Sequence, residues 1–247
     1  MKAKKLLHKI PIVILCGLTV FYTAVAVLTS AALMMFGAFI SAFWSAVLIL
    51  LHRRAEKRGI SPAGYNIAAV FFACLGLVFM TIPSGISSGS LWRYPFQRWY
   101  IGMFRNIREP EGFPDFTADV QGGYRFEYLP TIMQGTGHYS VTFHTTPERA
   151  AEYAAMYAPQ AVYTLKLSEN EEPVSDGYFR WTDKEFKPAN AGQDGSLDVY
   201  LSSAVKNADP ETTAVYVLET NHNRNHPHSL AVIADTGTGL IQLSKLG

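Results

Sequence analysis

Residues 10–51 carry no charged side chain, and apolar positions fill every face of a helix drawn through them. At ~1.5 Å per residue such a helix would reach roughly 60 Å, about twice the hydrocarbon thickness of a bilayer. The run is too long for one span and suits two, with Thr29 and Ser30 at the turn of a helical hairpin. In its second arm, Gly37, Ala38, Ser41, Ala42, Ser45 and Ala46 are of the small kind that lets helix backbones approach closely. A further apolar run over residues 67–86 predicts a third transmembrane helix.

After a Ser/Gly-rich linker at residues 87–91 the pattern turns amphipathic. Trp92, Phe96, Trp99, Tyr100, Met103, Phe104 and Ile107 fall on one helical stripe, with Arg98, Arg105 and Arg108 opposite. Pro95 suits a first helical turn. A helix rich in Trp and Arg, so close behind a span, fits the headgroup layer. Trp92, Phe96, Trp99, Tyr100 and Phe104 are therefore candidate membrane-interface residues. The competing reading makes this helix the first core helix of a globular domain.

Period-two alternation follows, over residues 124–129 and 138–144, and predicts strands. Thr146, Pro147 and Glu148 form a helix start, with a capping hydroxyl, a proline in the first turn and an acid near the positive helix end. That helix is expected to end near Tyr157, before Pro159. Strands are expected over residues 161–167, 177–181, 213–219, 229–234 and 240–243, with an acidic loop over 168–176. Residues 197–206 are expected as a helix, because Leu197, Tyr200, Leu201 and Val205 share one face. The chain thus divides into a basic leader (1–9), a transmembrane hairpin (10–51), a basic loop (52–66), a third span (67–86), a linker (87–91) and an α+β domain (92–247).

Charge orients this arrangement. The formal net charge is only +1, yet the first 87 residues carry +7 and the remainder −6. Lys2, Lys4, Lys5 and Lys9 precede the apolar run, and Arg53, Arg54, Lys57 and Arg58 follow it. Basic residues beside spans stay in the cytoplasm, so both ends of the hairpin are inside and a third span exits outside. The expected location is the cell membrane, multi-pass, with a cytoplasmic N-terminus and an extracytoplasmic C-terminal domain. Arg93, Arg98 and Arg105 lie on the outer side in this scheme, but long domains cross largely regardless of charge. Reading residues 10–29 as a cleaved signal peptide, with Ala24-Val25-Ala26 as the site, leaves the same exit. Cys16 and Cys74 both fall in apolar runs, so the domain can hold neither a disulfide nor a thiolate metal site. That absence, with no N-x-[ST] acceptor, fits a bacterial surface protein.

Candidate chemistry is sparse. His222, His226 and His228 are the densest potential metal ligands, although Arg224 and Pro227 among them favour a solvated loop. Asp235-Thr236-Gly237-Thr238 resembles the active-site turn of aspartic proteases, whose chemistry needs two such aspartates sharing a proton. With nine residues after Thr238, the motif is expected to be a hairpin turn, Gly237 and Gly239 supplying positive φ angles. His138, Ser140 and His144 share one face of a strand; without a Gly-x-Ser-x-Gly elbow, that face is expected to meet solvent while Tyr139, Val141 and Phe143 face the core. The chain has no His-Glu-x-x-His, phosphate-binding loop or dinucleotide fingerprint, and no charge within the three apolar runs.

These observations favour a membrane-anchored, non-enzymatic protein whose domain binds a partner or ligand near the membrane surface. The expected partners are the lipid bilayer and a protein at the outer surface or within the bilayer, with no nucleic acid and no cofactor. A membrane-anchored surface hydrolase and an accessory subunit of a larger membrane complex are the alternatives.

Overall fold

The computed structural model describes residues 10–59, 63–79, 82–103, 113, 115–131, 136–167, 172–173, 178–182, 196–223 and 226–247. The chain forms two compact units, Met1–Gly85 and Ile86–Gly247.

In the first unit, helices α1 (Ile10–Thr29), α2 (Ala32–Arg58) and α3 (Ala63–Phe79) pack pairwise against one another. The α1–α2 turn falls where the polar pair predicts it. Ser30 adopts φ 61°, and the Thr29 hydroxyl donates to Val25 O at 2.7 Å while accepting from Ala31 N at 3.2 Å. Small residues do set the approach of α2 to α1. Gly37 lies under the Tyr22 ring, Ser41 accepts from the Thr19 hydroxyl at 3.1 Å, and Tyr22 donates its own hydroxyl proton to Gly76 O. Leu15, Leu48, Ala69 and Ala73 fill the centre, and Trp44 stacks on Phe72 at 3.7 Å.

Two helices, α1 and α2, are long and apolar enough to cross a bilayer. The expected third span over residues 67–86 is not seen at that length. α3 ends at Phe79, its apolar stretch is Ile67–Val78, and Ile86–Ser88 is a strand, β1. Pro83 keeps the end of the expected span from being helical: a proline disfavours helical backbone at the residue before it and lacks the N–H to continue the ladder. The released segment is used at once. Ser84 Oγ accepts from Leu33 N at 2.8 Å and Gly85 O accepts from Ala32 N at 3.4 Å, so the α2 N-terminus, which lacks a side-chain cap of its own, is satisfied by the end of the unit.

The second unit is an α+β domain built on a seven-stranded antiparallel sheet in the order β1-β2-β3-β10-β9-β8-β4. Its further strands are β2 (Gly122–Leu129), β3 (His138–His144), β4 (Tyr163–Lys166), β8 (Thr213–Thr220), β9 (Ser229–Asp235) and β10 (Leu240–Leu246). A small sheet of β5 (Glu172–Pro173), β6 (Tyr178–Thr182) and β7 (Ser196–Tyr200) completes it. Helices α4 (Tyr94–Gly102) and α5 (Pro147–Tyr157) cover one face of the main sheet. There, Phe116 stacks on Phe143 at 5.2 Å, Tyr94 meets Phe126 at 6.2 Å, and Tyr153 of α5 meets Phe143 edge-on. Thr146 caps α5 as its sequence predicts, accepting from Arg149 N at 3.1 Å. Asp119 ties that helix down, accepting from Arg149 and from the Tyr153 hydroxyl. Burial alone would raise the Asp119 pKa, but these hydrogen bonds outweigh it and hold the carboxyl below its ordinary range.

The small sheet lies over the opposite face. Phe179, Trp181, Leu197 and Val199 meet Val215, Val217, Ala231 and Ile233 there. This overturns two expectations. The helix expected over residues 197–206 is strand β7 followed by a four-residue helix, α6 (Ser203–Lys206). The strand wins because Leu197 and Val199 both go into the core while Asp198, between them, takes a bidentate bond at 2.7 Å from Arg180 on β6. The polar face of β3 is likewise interior, because Tyr200 at the end of β7 and Ser202 just beyond it lie against it.

Candidate functional site

Among the described residues of the domain, exposed large apolar side chains cluster on and beside α4. A short 3₁₀ turn, Leu91–Arg93, leads into the helix, and Pro95 occupies its first turn. Its inward face holds Tyr94, Gln97, Tyr100 and Ile101. Tyr94 packs on Phe116 at 4.9 Å, and Tyr124 donates to Gln97 Oε1 at 3.4 Å. The outward face holds Trp92, Phe96, Trp99 and Met103, with Trp92 at 56% and Trp99 at 52% exposure. Arg93 lies over the Trp92 ring at 5.1 Å.

Of the five residues expected at a membrane interface, the structure thus turns Trp92, Phe96 and Trp99 outward together. Tyr100 is fully buried and does not belong to that row, and Phe104 lies outside the described residues. Ile101 is also core. Two apolar stripes share one helix, so the sequence shows the sum of both.

A second concentration of functional groups lies between the sheets, around β3. Thr142 donates to Ser202 Oγ at 3.2 Å, Ser202 N donates to Gln242 Oε1 at 2.8 Å, and Gln242 Nε2 donates to Tyr200 O at 2.7 Å. Ser244 donates to the same carbonyl at 2.8 Å, and the Tyr200 hydroxyl donates to Glu127 at 2.9 Å. His138 stacks flat on Tyr200 at 3.7 Å. Burial pushes the His138 pKa down to about 4, against the raising effect of Glu127, so the imidazole is neutral at pH 7. Burial also raises the Tyr200 hydroxyl, assisted by the Glu127 charge. Ser140 is fully buried, and its Oγ has no hydrogen-bond partner among the described residues.

This arrangement fixes β7 on β10 through buried hydrogen bonds; it does not set up an activated nucleophile. Ser140 has neither a base in hydrogen-bond contact nor an opening to solvent, and His138 spends its face on Tyr200.

The histidines after β8 are not brought together. His222, at φ 52°, has Nε2 3.2 Å from the Tyr163 hydroxyl; His228 faces Glu219 at 3.4 Å; His226 is exposed, its amide on Asn223. Among the described residues, no group of three or more His, Cys, Asp or Glu is placed to share a metal ion.

Asp235 closes the β9–β10 hairpin. Its carboxylate accepts from the Thr212 and Thr238 hydroxyls at 2.6 Å and from Gly237 N at 2.9 Å. Burial would raise its pKa, but those donors together hold it low, which suits a structural carboxylate. Gly239 alone of the two glycines has positive φ, 77°, and a Cβ there would meet Thr145 O at 2.1 Å. Gly237 serves instead to let Thr212 approach, at 3.0 Å from a would-be Cβ.

No family model matches this chain, and neither a curated protein nor a solved structure matches it.

Proposed function

We propose that this chain is a membrane-anchored, non-enzymatic protein whose domain, Ile86–Gly247, stands outside the cytoplasm and binds a partner or ligand near the bilayer surface. The observation that carries this reading is the outward row Trp92, Phe96, Trp99 and Met103. A domain that buries Phe116, Phe126, Tyr139, Phe143 and Tyr153 almost completely leaves these four in solvent, and clustered exposed apolar side chains mark a surface that something covers.

The orientation is supported within the first unit. The α1–α2 turn and the exit segment Ser84–Gly85 are hydrogen-bonded together, while Arg53, Arg54, Lys57 and Arg58 sit at the opposite end of α2. The chain therefore leaves the bundle at the end remote from those cations, as the charge rule requires. In this reading α3 is the third span; its 17 residues reach ~25 Å, a mismatch that local thinning of a bilayer accommodates.

Two measurements test it. Cysteines placed at Ser61 and at Ser175, in a background lacking Cys16 and Cys74, are exposed to an impermeant thiol reagent on intact cells. Labelling at 175 with protection at 61 is expected, and the reverse pattern overturns the topology. A photo-crosslinking residue at Trp99 should yield adducts in native membranes, while one at Met156, on the exposed side of α5, should not. Equal yields at both positions would sink the binding role of α4.

A further inference from the structure

We propose that the outward stripe of α2 is a binding face for an anionic phospholipid, its acyl chain lying along Phe39, Phe43 and Leu50 and its phosphate held by Arg53, Arg54 and Lys57. This rests on the membrane reading above and names a ligand for a part of the chain that reading leaves unused.

Length is the first argument. α2 runs for 27 residues, ~40 Å at 1.5 Å per residue, against ~30 Å of hydrocarbon. Its uncharged portion ends at Leu51. The helix then continues without a break to Arg58, and the excess of roughly 10 Å carries it through the headgroup layer. The cations therefore stand on rigid helix at the depth of lipid phosphates, not on a solvated tail.

Direction is the second. α2 has one buried stripe, Met34, Gly37, Ser41, Ser45, Leu48, His52 and Ala55, which stays in phase through the basic stretch. Opposite it, the exposed residues Phe36, Phe39, Phe43 and Leu50 line up with Arg53, Arg54 and Lys57 at three-, four- and seven-residue spacings. Aromatic and aliphatic surface leads directly into guanidinium and ammonium groups along a single stripe. That is the order of groups in a phospholipid, read from tail to phosphate.

Availability is the third. Among the described residues, Arg53, Arg54 and Lys57 have no ion-pair partner, since the one nearby carboxylate, Glu56, faces His52 at 3.4 Å. Gly59 caps the helix end through N–H bonds to Ala55 O and Glu56 O, so the cations are not needed there as caps. Leu50, Arg53, Arg54 and Lys57 are all exposed. The negative end of the helix favours the three cations, and Arg offers a planar fork that matches phosphate oxygens.

The test uses the full chain in mild detergent, titrated with phosphatidylglycerol or phosphatidylcholine of identical acyl chains and read by native mass spectrometry. Phosphatidylglycerol is expected to be retained about tenfold or more over phosphatidylcholine, since each surface cation favours an anionic headgroup. Arg53→Gln/Arg54→Gln/Lys57→Gln should erase the preference, Arg53→Lys/Arg54→Lys should keep most of it, and Gln at Lys2, Lys4, Lys5 and Lys9 should leave it intact. An equal retention of both lipids, or a preference that follows the leader lysines instead, overturns the proposal. So does displacement of phosphatidylglycerol by an equal concentration of inorganic phosphate, which would make the site a phosphate site without a lipid stripe. The anchoring itself is read separately: a chain stripped from membranes by alkaline carbonate refutes the membrane reading, whereas a chain that resists stripping but shows no lipid preference refutes only this one.

Discussion

On one face of the seven-stranded sheet, Phe126, Tyr139 and Phe143 meet rings from α4, α5 and Phe116; on the other, Thr142, Gln242 and Ser244 meet the backbone of β7 and Ser202. The aromatic face is held by area and shape, which are additive and tolerant of small errors. The polar face is held by a short list of donors and acceptors that must all be present at once, because each lies where water cannot replace it. A face of the first kind makes the domain stable. A face of the second kind fixes the register of β7 on β10.

The largest effect that sharpens this contrast is expected on the aromatic side. Phe143→Ala removes a fully buried ring that touches Phe116 and Tyr153, and should lower unfolding free energy by ~3–5 kcal/mol in a denaturant titration. On the polar side, Gln242→Leu conserves volume but strands Ser202 N–H, and should cost ~1–3 kcal/mol. If that variant is as stable as the parent, the polar face specifies nothing and the contrast collapses.

A smaller effect depends on pH. With its pKa depressed from 6.5 to about 4, His138 stays neutral in the fold where the unfolded chain would take up a proton. Stability is therefore fully retained above about pH 6.5 and falls as pH drops towards 4, by roughly 3 kcal/mol from this group. Asp119 and Asp235, held low, act in the other window: their contribution is present above the ordinary aspartate pKa and is lost only in more acidic solution. His138→Phe keeps a ring on Tyr200 and should flatten the slope between pH 6.5 and 4 while leaving the acid limb. A slope unchanged by that substitution would place its origin elsewhere. The smallest effect is predicted at the surface: Trp99→Glu should change the melting free energy by no more than ~0.5 kcal/mol, because the side chain is half exposed. A loss of several kcal/mol would make α4 a core helix on both its faces.

How much of this was legible in the sequence follows from the range of the deciding contacts. Thr146 and Pro147 act on their own helix within three residues, so the start of α5 could be read directly. The strand His138–His144 likewise announces itself by alternation. Residues 197–201 satisfied both periods, since Leu197, Val199 and Leu201 alternate while Leu197, Tyr200 and Leu201 also share a helical face. The tie is broken by Arg180, eighteen residues away, whose bond to Asp198 no local pattern contains. The same distance hid the burial of Ser140: alternation shows that a strand has two unlike faces, not that a second sheet covers the polar one. On α4, Tyr100 falls on the inward face, which sequence does not separate from the outward one because both stripes are aromatic. The histidine tract carries composition without geometry: the His222 and His228 imidazoles end on separate neighbours, Tyr163 and Glu219, and His226 is exposed.

The position of β10 between β3 and β9 has a consequence for how the chain is made. Leu240 pairs with His144 and Leu246 with His138, so β3 waits for a partner emerging about a hundred residues later. At a synthesis rate of ~5–20 residues per second, that is roughly 5–20 s during which β3 is an open edge, its amides and carbonyls free to pair with a neighbouring chain. Ser140 and Thr142 are then wet, and they keep one side of the waiting strand from sticking.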